Sequence, residues 1–134
     1  MIVAGMGNDK LLEILIGNGA NYNLQRQDGS TAIKLAALSG HTTCLEKLIK
    51  AGANIDLPDQ DGATPAFLAA NNLHSECLET LAKNKADITQ PNKRGETPIF
   101  AAAKSGCYKC VETLIKHGLE LNANVPLKPL LIAF

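Results

Sequence analysis

Cys107 and Cys110 form a C-x-x-C, the spacing at which two thiols exchange with a disulfide or supply half of a tetrahedral zinc site. Dithiol chemistry of that kind sits beside a strand-rich unit, and a zinc site needs a second C-x-x-C or an H-x-x-H. The sequence has neither. Cys107 falls where a helix should begin, so it is expected to be the more exposed and more oxidisable of the two, and redox sensing by the pair is one function to be weighed. His41 and His74 fall between helical segments and His117 near the end of one. Acid–base or nucleophilic catalysis would need a partner held within hydrogen-bond reach of an imidazole, and no spacing supplies one. His41 and His74 read as turn-stabilising residues, and His117 as a favourable charge near a helix C-terminus. Gly17-Asn18-Gly19 closes a helix, whereas anions are held where helices open. No residue is therefore assigned as catalytic, cofactor-binding or metal-ligating, and the chain is read as a non-enzyme without a cofactor.

The elements that carry these residues are limited first by composition. A chain of 134 residues, 46% of them hydrophobic, suits one continuous core. Thirteen basic residues balance thirteen acidic ones, so the long-range field that concentrates phosphate-rich partners is missing, and nucleic acid is not expected. Scarce aromatics leave few platforms for stacked bases. No apolar run approaches the roughly 20 residues that span a bilayer, and Met1 opens no signal-peptide pattern. A soluble, unsecreted protein of the cytoplasm or nucleus, without membrane contact, is the expectation.

Organisation comes from repetition. Asp28-Gly29-Ser30-Thr31 returns as Asp61-Gly62-Ala63-Thr64 and as Arg94-Gly95-Glu96-Thr97, at a period of about 33 residues. Each copy then carries a pair of small residues, Ala36-Ala37, Ala69-Ala70 and Ala102-Ala103, and a second apolar block opened by Cys44, Cys77 or Cys110. Three cysteines one period apart follow the fold rather than a metal, and read as small core residues of a reduced chain. Within a copy, Thr31 precedes a helical run to Leu38 and Ser39-Gly40 breaks it. Thr42 or Thr43 then caps a second helix to about Lys50, which Ala51-Gly52 ends. Asn54-Ile55-Asp56 reads as a short extended piece, and Pro58 to Gly62 as a turn tip. Pro65 and Pro98 sit at first helical positions, where the missing N–H is not needed. One such unit cannot bury its apolar faces alone, so the units must stack.

These residues resemble the ankyrin pattern D-G-x-T-P-L-H-x-A-A, G-H, a Leu-rich second helix and G-A-D-V-N. The match rests on Thr64-Pro65, Thr97-Pro98, Gly40-His41, Gly52-Ala53-Asn54-Ile55-Asp56 and Gly19-Ala20-Asn21-Tyr22-Asn23, and covers nearly the whole chain. The resemblance implies an all-α ankyrin-repeat solenoid of stacked helix-turn-helix units with hairpin-like loops. Residues 1–134 are read as one domain: a partial repeat at 1–25, full repeats at about 26–58, 59–91 and 92–124, and a partial one at 125–134. The chain starts inside a first helix, and Pro126-Leu127-Lys128-Pro129 replaces the last Gly-x-Thr-Pro. The terminal partial repeats are read as caps or as the edges of a longer array. Leu130 to Phe134 is expected to pack as a lid over the last core. Where the family has a loop-tying His, this chain has Lys34, Phe67 and Phe100, which puts that polar tie in doubt and favours apolar packing by the two phenylalanines.

The resemblance further implies a non-catalytic protein–protein interaction module whose partner lies against the turn tips and first helices. Counting from each tip glycine selects Gln27, Asp28, Ser30, Leu38 and Ser39, then Gln60, Asp61, Ala63, Asn71 and Asn72, then Lys93, Arg94, Glu96, Lys104 and Ser105. The tips pass from acidic at Asp28, Asp59 and Asp61 to basic at Lys93 and Arg94, a gradient suited to orienting a protein partner. Asn71 and Asn72 can donate and accept at once. A monomer is expected, with head-to-tail association if the ends belong to a longer array. The alternative reading is a docking or targeting segment of a larger enzyme or effector whose catalytic domain lies outside the chain.

Overall fold

The computed structural model describes residues 4, 7–25 and 30–121. Their helices are α1 (Asp9–Gly17), α2 (Ala32–Ser39), α3 (Thr42–Lys50), α4 (Pro65–Asn71), α5 (Ser75–Lys83), α6 (Pro98–Ser105) and α7 (Tyr108–Leu121), and no strand occurs among the described residues. First helices α2, α4 and α6 begin alike. Thr31, Thr64 and Thr97 hold extended backbone, and each side-chain oxygen accepts the N–H three residues on, at 3.3, 3.2 and 3.3 Å. One otherwise orphaned donor is satisfied per helix. Pro65 and Pro98 follow at the first helical position.

The first helices stop in two ways. Gly40 and Gly106 take left-handed backbone at φ 78 and 80°, the conformation that closes a helix without a Cβ clash. After α4 the same place is held by Leu73 at φ 64°, 56% exposed. A leucine there carries about 1–2 kcal/mol of steric cost and buries little in return. Leu73→Gly is therefore expected to stabilise the fold by about 0.5–1 kcal/mol, after the entropy that glycine adds to the unfolded chain; a higher urea midpoint at unchanged slope is the check.

The second helices begin one residue earlier than a Thr42 or Thr43 cap requires. His41 and His74 stand at the boundary with no side-chain bond to the helix end. The His74 ring instead joins two units: its Nε2–H donates to the Leu38 carbonyl at 3.0 Å, and it lies so close over Gly40 that an added Cβ would come within 2.6 Å of Nδ1. Thr42 turns its hydroxyl to Cys77 Sγ, 3.4 Å away. Ile55 belongs to a turn rather than an extended piece, because Asn54 Oδ1 takes the Asp56 N–H at 3.1 Å. Successive loops are tied in phase, Asn54 N–H to Asn23 Oδ1 at 2.9 Å and Asp87 N–H to Asp56 Oδ1 at 2.8 Å.

Packing follows the repeat. Helices α2, α4 and α6 form one row, α1, α3, α5 and α7 a second, and the rows pack helix against helix within each unit. This is the all-α solenoid that the sequence implies. Alanines 36, 37, 69, 70 and 102 are buried between the rows, where their small size lets the helices approach, and Ile33, Leu45, Leu48, Leu78 and Leu81 fill the space behind them. Cys44, Cys77 and Cys110 are buried in this core as their spacing required. Burial pushes the Cys77 thiol above its usual pKa, against the hydrogen bond from Thr42, so it stays protonated at neutral pH.

Two cysteine expectations change. Cys107 is 7% exposed, not open to solvent, because its N–H bonds to the Ala102 carbonyl at 2.9 Å and folds the turn back on α6. Cys107 and Cys110 are paired in a disulfide, Cα atoms 5.3 Å apart, where two independent thiols were expected. His117 also differs: α7 runs on to Leu121, and the buried imidazole lies with Nε2 3.2 Å from Glu79 Oε1 rather than at a helix end. Burial would raise the Glu79 pKa, but the bond and charge of His117, with Lys116 and Lys83 nearby, outweigh it and hold the carboxyl below its usual value. The lid from Leu130 to Phe134, the partial repeat 125–134 and Ile2-Val3 lie outside the described residues.

Candidate functional site

The row of first helices and the tips beyond it enclose an open groove of about 490 Å³. Each wall is built by a short local device. At the second tip Asp59 N–H bonds to Ala63 O at 3.0 Å, while Asp59 Oδ1 accepts from Asp61 N–H at 2.9 Å and Ala63 N–H at 3.0 Å. Asn92 does the same at the third tip, its backbone to Glu96 O at 2.9 Å and its Oδ1 to the Arg94 and Glu96 N–H groups, both at 3.0 Å. Lys93 N–H then donates to Asp61 O at 3.0 Å, so the tips join as a ribbon. Gly62 permits that approach, since a Cβ there would stand 2.9 Å from Lys93 N. Short Asx turns thus fix the backbone that carries the rim side chains, so little main-chain freedom is left to lose on binding.

The floor is apolar. Ala63, Phe67, Leu68 and Ala101 form a cluster of their own with Leu38 at its edge, separate from the main core. Phe67 is 7% exposed, which fulfils the packing expected of it. Phe100 is half-buried, with Lys104 Nζ 6.0 Å from its ring centroid, within the range of a cation–π contact. The polar tie placed in doubt is restored by another pair. Lys34, at the position of the family's His, reaches Asp59 at 2.7 Å, with side chains only 13% and 6% exposed, and also donates to Ser30 Oγ at 2.9 Å.

That ion pair alters the charge pattern. Asp59 is neutralised, so the acidic end of the gradient is reduced to Asp61 among the described tips. Glu96 takes the Asn92 amide at 3.0 Å. Lys93, Arg94 and Lys104 are exposed, and none forms an ion pair among the described residues. The groove edge on the third unit is therefore cationic.

A family model for ankyrin repeats in three copies matches residues 1–92 and, in a second register, 45–125. The chain belongs to the ankyrin-repeat family. Ankyrin-repeat domains are generally protein–protein interaction modules and typically non-catalytic. Comparison with curated proteins finds no match. Among the described residues of this ankyrin-repeat chain, no helix is long and apolar enough to cross a membrane, and no group of His, Cys, Asp or Glu side chains is arranged to hold a metal ion.

Of the partner-binding residues expected from sequence, Asp61, Asn71, Lys93, Arg94, Glu96, Lys104 and Ser105 line the groove, as does Ala63. Leu38 is half-buried at the edge of its floor, and Ser39 and Gln60 are exposed outside it. Gln27 and Asp28 lie outside the described residues. Two of the expected residues are engaged within the fold. Ser30 is 1% exposed and accepts from Lys34, so it offers a partner nothing. Asn72 turns its amide back to the Leu68 carbonyl at 2.8 Å and serves the end of α4. Ser105 lines the groove, but its hydroxyl is shared among the Ala70, Ala101 and Ala102 carbonyls at 3.3, 2.8 and 3.2 Å. The apolar floor went unread because Phe67 was counted as inter-repeat packing; its adjacency to Leu68 on α4, with Ala101 one period beyond Leu68, was the available signal.

Proposed function

We propose that this chain is a non-catalytic protein-binding module that seats its partner in the groove between the turn tips and α4 and α6. The observation that carries the reading is the pairing of an apolar floor with a rim of charges that form no ion pair among the described residues: Phe67, Leu68 and Ala101 below, Lys93, Arg94 and Lys104 beside them. Rim charges steer encounter and fix register, while a desolvated floor supplies the lasting contact. The tips are held by their own Asx bonds, so binding orders little that is not already ordered. A role as adaptor, inhibitor or docking segment of a larger protein is compatible with one and the same groove.

Charge reversal tests the reading without disturbing the fold. Lys93 and Arg94 are exposed, so Lys93→Glu with Arg94→Glu is expected to leave the unfolding free energy, read by urea titration, within about 0.5 kcal/mol of the parent. Affinity for a protein recovered by the parent from lysate is expected to fall by at least about tenfold, roughly 1.4 kcal/mol. Unchanged affinity would move the site to the opposite surface, where Glu46, Lys50, Thr80 and Lys83 line a depression of about 440 Å³ between α3 and α5.

A further inference from the structure

The uncommitted charges of the groove also specify the chemistry of what fills it. Lys34 neutralises Asp59 at 2.7 Å, whereas Asn92 holds Glu96 at 3.0 Å without neutralising it, so the acidic part of the rim without an ion pair among the described residues is the pair Asp61 and Glu96. Lys93, Arg94 and Lys104 stand against this pair as three cations on the third unit, none of them ion-paired among the described residues. Below them lie Phe67, Leu68 and Ala101, an apolar cluster that faces the groove rather than the main core. A ligand that fits must neutralise the cations, and it can cover the small part of the floor that stays open, since Phe67, Leu68 and Ala101 are 7, 9 and 2% exposed.

We infer that the occupant is a linear acidic segment of a protein partner, with Asp or Glu carboxylates on the third-unit rim and one aliphatic or aromatic side chain on the floor. This rests on the proposed protein-binding role and narrows it to a chemical class. Arg94 suits a carboxylate because its planar fork can bind both oxygens, and Lys93 and Lys104 add point charges that tolerate variation in the segment. A basic segment is disfavoured by three like charges. Nucleic acid would satisfy the cations, but its regularly spaced phosphates would also meet Asp61 and Glu96, whereas a peptide can set its carboxylates on the cations alone and an apolar side chain between them.

The test is selection of a displayed library of random linear peptides on the folded chain, followed by titration of one enriched peptide. Enriched sequences are expected to combine Asp or Glu with Leu, Ile or Phe. Affinity should fall at least about tenfold when the chain carries Lys93→Glu and Arg94→Glu, and comparably when the peptide's apolar residue becomes Ser. It should weaken as salt is raised. Basic or uncharged consensus sequences, equal binding by the reversed variant, or tighter binding of labelled polyuridine than of the peptide would each overturn the inference. If no peptide is enriched while a folded protein is bound by the parent and lost by the reversed variant, the linear acidic segment is wrong and the protein-binding groove stands. If the reversed variant binds that protein equally, the groove itself is wrong.

Discussion

Leu78→Ala is expected to lower the unfolding free energy by about 3–5 kcal/mol, the upper part of the range for buried leucines. Leu78 has no exposed surface and sits on α5, which packs on α3, α4 and α7 at the centre of the stack. Neighbours on so many sides leave little room for collapse into the space vacated, so lost transfer energy and an unfilled cavity add. Against a total of about 5–15 kcal/mol for a domain, that is a large share. A stacked array adds a second consequence. Each unit is stabilised by its neighbours, so weakening the middle unit should uncouple the flanking ones, and circular dichroism and a local probe on α7 should then give different midpoints. Ile14→Ala, at a residue 58% exposed, is the control and should stay within about 0.5 kcal/mol. A Leu78→Ala effect as small as the control would contradict the packing of the second-helix row.

Asp59→Ala is expected to cost about 2–4 kcal/mol, although aspartate in a loop is usually dispensable. Its carboxylate, 6% exposed, accepts the Lys34 ammonium at 2.7 Å and two backbone N–H groups of its own turn. Removing it strands a largely buried cation beside Ser30 alone and strips the turn of both bonds, a combination that breaking a buried pair makes costly. Lys34→Met should cost less, about 1 kcal/mol, because the carboxylate keeps its two N–H donors and the apolar stem is conserved. Asp59→Asn separates the two contributions, since an amide oxygen can hold the turn while the charge is lost. Urea unfolding of the three variants and of Lys34→Met with Asp59→Ala gives the coupling directly. Equal losses for Lys34→Met and Asp59→Ala would show that the turn bonds contribute little.

The contrast between these residues shows what could be read from sequence. Leu78 was legible because its role repeats: Leu45, Leu78 and Val111 recur at one period and all are buried. The same logic placed Thr31, Thr64 and Thr97 just ahead of the first helices and Cys44, Cys77 and Cys110 in the core, since a local pattern repeated in phase carries its own evidence. Asp59 and Lys34 were not legible as a pair. They belong to different repeats, and their 2.7 Å approach depends on how one tip folds back over the preceding first helix. Asn71 and Asn72 looked equivalent in sequence, yet the helix end assigns one to the groove and the other to the Leu68 carbonyl. The position of Cys107 failed for a related reason: a helix start is usually open, but the Ala102 carbonyl draws this one inward. Periodicity finds what every unit must do, whereas the surface of an interaction module is made of residues that the repeat leaves unspecified.

The most direct test of the groove is site-specific photo-crosslinking in lysate, with a photoreactive side chain placed in turn at Asn71 in the groove and at Lys83 on the opposite surface, both exposed. The groove predicts a defined crosslinked protein from position 71 that disappears when Lys93→Glu and Arg94→Glu are added, and none from position 83. A crosslinked partner from position 83 with nothing from position 71 would contradict it.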